Sequence, residues 1–144
     1  MTYAEEIKTI AVRSRHAFEE LVLDARMTEA NKLYSSGRMF AYLRDKYSSK
    51  AVAVSKIMAS ILAAGYSVPI YLEPDEAYQW IREKHKWAIE EMVYEEKIAE
   101  AKASFESIKL MLAVLSQFYG TREELLAALR IAANRRRRKT ECLN

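Results

Sequence analysis

The chain has 144 residues, about half of them apolar, enough to bury a core without metal or disulfide staples, and its one cysteine, Cys142, excludes an intramolecular disulfide or a cysteine-based metal cluster. Three glycines and two prolines among abundant Ala, Leu, Glu, Lys and Arg describe an all-α chain. The net charge of +3 conceals a pattern: residues 1–66 carry ten Lys/Arg against seven Asp/Glu, residues 67–119 six against ten, and residues 120–144 seven against three. Two basic ends around an acidic middle bear on partners, polyanions first, and say nothing about fold.

Thr2-Tyr3-Ala4-Glu5 fits a capping box, with the Thr hydroxyl accepting the amide proton three residues on. Tyr3, Ile7, Ile10, Ser14, Ala17 and Leu21 then keep a helical stripe, so the first helix is expected to reach Tyr34 or Ser35. Gly37 predicts a break, and a second segment runs from Arg38 to Tyr47. Ser48 or Ser49 is suited to cap a further stretch from Ala51 to Ala64, ended by Gly65; whether residues 38–64 form one helix or two stays open.

Residues 66–73 contain Pro69 and read as an extended connection. Pro74, followed by Asp75 and Glu76, suits a first helical turn. From there to Tyr119 no Gly or Pro interrupts the chain, which predicts one very long helix over about 74–119, roughly 70 Å if straight. Its second half carries a packing seam at Tyr94, Ile98, Ala101, Phe105, Ile108, Leu112, Leu115 and Tyr119, while Ile81, His85, Ala88 and Met92 use another face, which implies a bend or two packing partners. Gly120 stops this helix. Thr121 and Glu124 form a second capping box for a short helix through Ile131, and the basic tail from Asn134 on is expected to be disordered.

The expected architecture is a bundle of four to five helices, a single domain over residues 1–134 with a tail at 135–144. The two Tyr-Ser-Ser triplets at 34–36 and 47–49 are not extended by their neighbours and do not make a structural repeat. The longest uncharged run, Ile57 to Leu72, is too short and too broken to span a membrane. The N-terminus lacks the basic and apolar regions of a signal peptide, so secretion is not expected.

No enzyme signature is present: no Gly-rich phosphate loop, no nucleophile elbow, and neither His16 nor His85 in the Glu-x-x-His spacing of di-iron bundles. Catalytic residues, metal ligands and cofactors are therefore expected to be none. Glu90, Glu91, Glu95, Glu96, Glu100 and Glu106 alternate with Lys97, Lys102 and Lys109 as on a solvated helix face. The sharpest feature is Arg135-Arg136-Arg137-Arg138-Lys139, cations that repel one another unless a polyanion neutralises them. Arg38, Tyr42, Lys46 and Lys50 recur every four residues and would form a stripe able to follow a phosphate backbone, with Arg13 and Arg15 upstream. Trp80, Trp87, Tyr94, Phe105 and Phe118 are the candidate protein-interface anchors.

The basic N-terminal helices, the helical seam and the arginine run together resemble coat proteins of archaeal filamentous and spindle-shaped viruses. That resemblance lies in architecture and charge layout. It implies that Arg13, Arg15, Arg38, Lys46, Lys50 and the Arg135 to Lys139 run face nucleic acid, duplex DNA foremost, and that many copies self-associate. The expected function is a non-enzymatic, sequence-independent nucleic-acid-binding coat or nucleoprotein subunit. The alternatives are a small regulatory protein that inhibits a nucleic-acid enzyme such as RNA polymerase, and a helical subunit of a ribonucleoprotein complex.

Overall fold

A computed structural model describes the backbone of residues 1–143 and the side chains among them except at 36 and 136–143. Every regular element among the described residues is a helix, with no strand: α1 (Tyr3–Arg13), α2 (Arg15–Lys32), α3 (Ser36–Tyr47), α4 (Lys50–Ala63), α5 (Pro74–Lys84), α6 (Lys86–Ala103), a 3₁₀ turn (Ser104–Glu106), α7 (Ile108–Phe118) and α8 (Arg122–Leu143). Eight helices replace the expected four to five, and the very long helix over 74–119 is absent. It is divided at His85 and again at the 3₁₀ turn, after which Ser107 caps α7 by accepting from the amide of Leu110.

Neither of the unforeseen breaks at Ser14 and His85 involves Gly or Pro, yet their geometry is nearly the same: φ −144° and ψ 51° at Ser14, φ −141° and ψ 46° at His85. In each, the amide of the break residue donates to an isoleucine carbonyl four residues back, Ile10 or Ile81. Two matching breaks reveal an internal duplication that the sequence reading missed. Tyr3 corresponds to Pro74, Arg13 to Lys84, Ser14 to His85 and Lys32 to Ala103, a constant offset of 71 residues; the offset becomes 72 after the 3₁₀ turn, where the second copy has one more residue than the link 33–35. The cap residues match as well. Ser35 corresponds to Ser107, and Ser49, which accepts from the amide of Val52, corresponds to Thr121, which accepts from that of Glu124. In sequence, RHAFEELVLDARMTEA (15–30) aligns with KWAIEEMVYEEKIAEA (86–101).

The packing divides into two compact units, Met1–Thr28 with Ile98–Asn144, and Glu29–Lys97. Each unit combines the first half of one copy with the second half of the other. In the first unit the buried Ala17, Phe18, Leu21 and Val22 join Ala101, Met111, Leu115, Leu125, Leu126 and Leu129. In the second, their counterparts Ala88, Ile89, Met92 and Val93 join Ala30, Met39, Leu43, Ala53, Val54 and Ile57. Packing pairs correspond too, α1 with α8 in the first unit and α5 with α4 in the second. Volume is traded within each core: Ala53 becomes Leu125, while Ile61 becomes Ala133, as close packing demands.

Three further expectations are corrected or decided. Gly37 lies inside the first turn of α3, and the break precedes it at 33–35, whereas Gly65 does end α4 at φ +97°. Residues 38–64 form two helices, α3 and α4, joined through Ser48 in the left-handed region at φ 68°. The C-terminal segment expected to be disordered continues α8 to Leu143.

Candidate functional site

A polar cluster lies in the second unit, where the end of α2, the last turns of α3 and the middle of α6 meet. Lys97 is 5% exposed, and its Nζ lies 3.0 Å from Glu29 Oε2 and 4.5 Å from the centre of the Tyr42 ring. Lys46 Nζ stands 3.7 Å from Glu96 Oε2 and 5.8 Å from the same ring. Tyr47 donates its hydroxyl to Glu96 Oε1 at 2.5 Å, and Lys56 lies 4.9 Å from the Tyr47 ring. Burial, then the hydrogen bond to Glu96 and the charges of Glu96 and Glu95, push the Tyr47 phenol far above its ordinary value. It holds its proton and serves as a donor. The cluster contains carboxylates matched to ammonium groups over aromatic faces, an arrangement that fixes helix register.

This changes the reading of several predicted residues. Lys97, expected on a solvated face, is buried and paired. Lys46 is neutralised by Glu96, and Lys50 by Asp75, with the Tyr78 ring 5.2 Å away. Lys50 opens α4, so the stripe Arg38, Tyr42, Lys46, Lys50 does not lie on one helix. Arg38 is exposed in the first turn of α3, its Nε 3.4 Å from the Ser35 hydroxyl that also accepts from its amide. Arg13 is exposed at the end of α1. Arg15 bonds the carbonyl of Phe105 and lies 3.4 Å from Glu19. Arg135 is 3.5 Å from Glu20, and the side chains of Arg136, Arg137, Arg138 and Lys139 lie outside the described residues.

The duplication would have exposed the missed residues. Lys97 corresponds to Arg26 and Glu29 to Glu100, so the basic and acidic pair of the second unit has a matching pair of residues in the first, where Arg26 and Glu100 are likewise engaged. In that unit burial, then Glu20, raises the carboxyl of Asp24, against the opposing pull of Arg135. Tyr119, the counterpart of Tyr47, is also raised, by burial and then by Asp24.

The aromatic candidates are half-buried. Trp80 and Trp87 lie against His85 at the break between α5 and α6, with ring centres 4.9 and 6.0 Å from the imidazole, and Tyr66 lies 4.9 Å from it and 5.8 Å from Trp87. Trp87 Nε1 donates to His85 Nδ1 at 3.2 Å, which places the imidazole proton of the neutral ring on Nε2. Tyr94 donates to Asn31 at 2.6 Å. Phe105 packs on the core of the first unit, and Phe118 is half-buried near the end of α7.

Beside Trp80 an open groove of about 580 Å³ is lined by Pro69, Leu72, Asp75, Glu76, Gln79, Trp80 and Glu83. The adjoining loop exposes Ile70 and Tyr71, and Tyr71 sits at φ 69°, a costly conformation for an aromatic residue. No group of three His, Cys, Asp or Glu suited to a metal ion occurs among the described residues, and none of their helices is long and apolar enough to cross a membrane. No protein-family model, curated protein or solved structure matches this chain.

Proposed function

We propose that this chain is a non-enzymatic, nucleic-acid-associated helical protein, a coat or nucleoprotein subunit that grips the phosphate backbone without reading sequence. The observation that carries the reading is that α8 prolongs the arginine run as a helix past the point where its counterpart α4 ends. Such a helix presents adjacent cations at a rise of ~1.5 Å per residue, a density suited to phosphates and not to packing. The cations of the α3–α4 region contribute less, since Lys46 and Lys50 already face Glu96 and Asp75. Arg13 and Arg38, both exposed, are the secondary phosphate-binding cations.

The test is duplex-DNA binding by the full chain over a range of salt. Replacing Arg136, Arg137 and Arg138 with Gln is expected to weaken binding and to flatten the salt slope by about 0.9 for each phosphate that is no longer neutralised. The matching replacement of Arg38, Lys46 and Lys50 is expected to have a smaller effect. An unchanged slope in the α8 variant overturns this reading. The acidic edge of α5 favours the second reading, a regulatory protein bound to a basic surface of a nucleic-acid enzyme. That reading requires a stoichiometric protein complex that survives nuclease digestion.

A further inference from the structure

The duplication acts as an internal control. A residue the shared fold requires has a like counterpart 71 or 72 positions away, and a residue present in one copy for another purpose does not. Along α5 the groove residues Asp75, Gln79, Trp80 and Glu83 stand where α1 carries Ala4, Lys8, Thr9 and Val12; only Glu76 has a like counterpart, Glu5. The first unit packs its core without an indole at this position and without the carboxylates of Asp75 and Glu83; one part of Trp80 packs on the core of the second unit and on His85, and the rest walls the groove. No Lys or Arg lines the groove, and the lysine that approaches it, Lys50, pairs with Asp75.

The other large departure is at the chain's end. Ala63, the last residue of α4, corresponds to Arg135, and α8 continues eight residues beyond that position, to Leu143, beginning with Arg136-Arg137-Arg138-Lys139. The two additions to the repeated architecture are thus an anionic groove with an aromatic wall and a cationic helix end.

We propose that the groove receives the arginine-rich end of α8 from a second copy of this chain, joining copies head to tail. Guanidinium planes stack on an indole and are held by flanking carboxylates, here Trp80 with Glu83, and with Glu76, an acid that the first copy also carries as Glu5 but without an indole beside it. Pro69 and Leu72 offer apolar surface to the methylene stems. Because the two joined surfaces differ, the interface is heterologous and extends copy after copy unless its rotation closes a ring. The proposal rests on the reading of α8 as a polyanion-binding element and adds a protein partner to it, so nucleic acid and the groove compete for the same arginines.

Sedimentation velocity of the full chain over a range of protein concentration and salt tests this. The mass is expected to rise with concentration at low salt and to fall as salt is added. Glu76→Gln with Glu83→Gln, two exposed positions that leave the core untouched, should weaken association by about tenfold without lowering duplex-DNA affinity. Adding Trp80→Ala should weaken it further, with helicity by circular dichroism reporting that the chain still folds. Arg136→Gln, Arg137→Gln and Arg138→Gln should weaken association and DNA binding together. An equimolar mixture of the groove variant and the arginine variant should stop at pairs, because only one productive interface remains. Association that is unchanged in either variant, or a parent mass independent of concentration, overturns the proposal. A parent chain that fails to bind DNA, with the self-association pattern intact, would sink the proposed function and leave the groove interface standing.

Discussion

Leu43 and Leu115 occupy one position in two units, and both are fully buried; three residues further on, Lys46 and Phe118 again share a position, yet one is paired with Glu96 and the other is an aromatic ring. Positions that face a core have kept their character between the two copies, because a cavity or an overpacked methylene costs kcal/mol wherever it falls. Positions at the surface have diverged in charge. The unit Met1–Thr28 with Ile98–Asn144 carries thirteen Lys/Arg against ten Asp/Glu, a balance of +3, and Glu29–Lys97 carries ten against ten, a balance of 0. All of the chain's net charge therefore belongs to one unit, and the five cations of the α8 run more than account for it, since without them that unit would stand at −2.

The largest effects come from the shared core. Leu43→Ala and Leu115→Ala should each cost about 2–5 kcal/mol, measured by urea denaturation, and similar values would establish that the two units carry equal weight. A much smaller loss at one of them would break the equivalence. Next comes the buried ion pair. Lys97→Met removes the ammonium 3.0 Å from Glu29 and should cost roughly 2–3 kcal/mol, less than the ~3–5 of a fully buried pair because Glu29 retains access to water. Adding Glu29→Leu should recover much of that loss, and a double variant no more stable than Lys97→Met would deny the pairing its energetic role.

A smaller gain is expected at Ser48, which holds φ 68°. Ser48→Gly should stabilise the chain by up to ~1 kcal/mol, seen as a higher urea midpoint, since glycine occupies the left-handed region without a Cβ penalty. The smallest effect depends on pH. The raised Asp24 carboxyl binds its proton more tightly folded than unfolded, so it contributes nothing when protonated in both states and destabilises once ionised in both. Asp24→Asn should therefore raise the thermal midpoint at pH 7, and the gain should vanish as pH falls below the ordinary carboxylate range. A gain that persists in acid would assign the effect to packing instead of charge.

Legibility followed local chemistry. The caps at Thr2 and Thr121, the start at Pro74 and the end at Gly65 stand where the sequence places them, because a hydroxyl, a fixed φ or a missing Cβ acts within a few residues. The breaks at Ser14 and His85 carry no such mark. They exist because α1 must turn back onto α8 and α5 onto α4, a demand that arises from residues distant in sequence. The duplication was visible in principle in RHAFEELVLDARMTEA and KWAIEEMVYEEKIAEA, but its identities, such as Ala17 with Ala88, Glu20 with Glu91 and Val22 with Val93, are few and of residue types common in any helical chain. Of the candidate site, the α8 cations and Trp80 could be read directly. Glu29, Glu96 and Lys97 could not, since an alternating charge pattern looks the same on a solvated face and around a buried pair.

By itself the sequence determined that the chain is all-helical, where most caps fall and which residues are apolar enough to be buried, because those properties depend on neighbours within a turn or two. Only the tertiary structure decided that each core is assembled from halves of both copies, that Lys46, Lys50 and Lys97 are neutralised, and that Trp80 walls a groove of carboxylates. Those outcomes depend on which helices meet, and that is set by the summed burial of many distant side chains, which no short stretch of sequence contains.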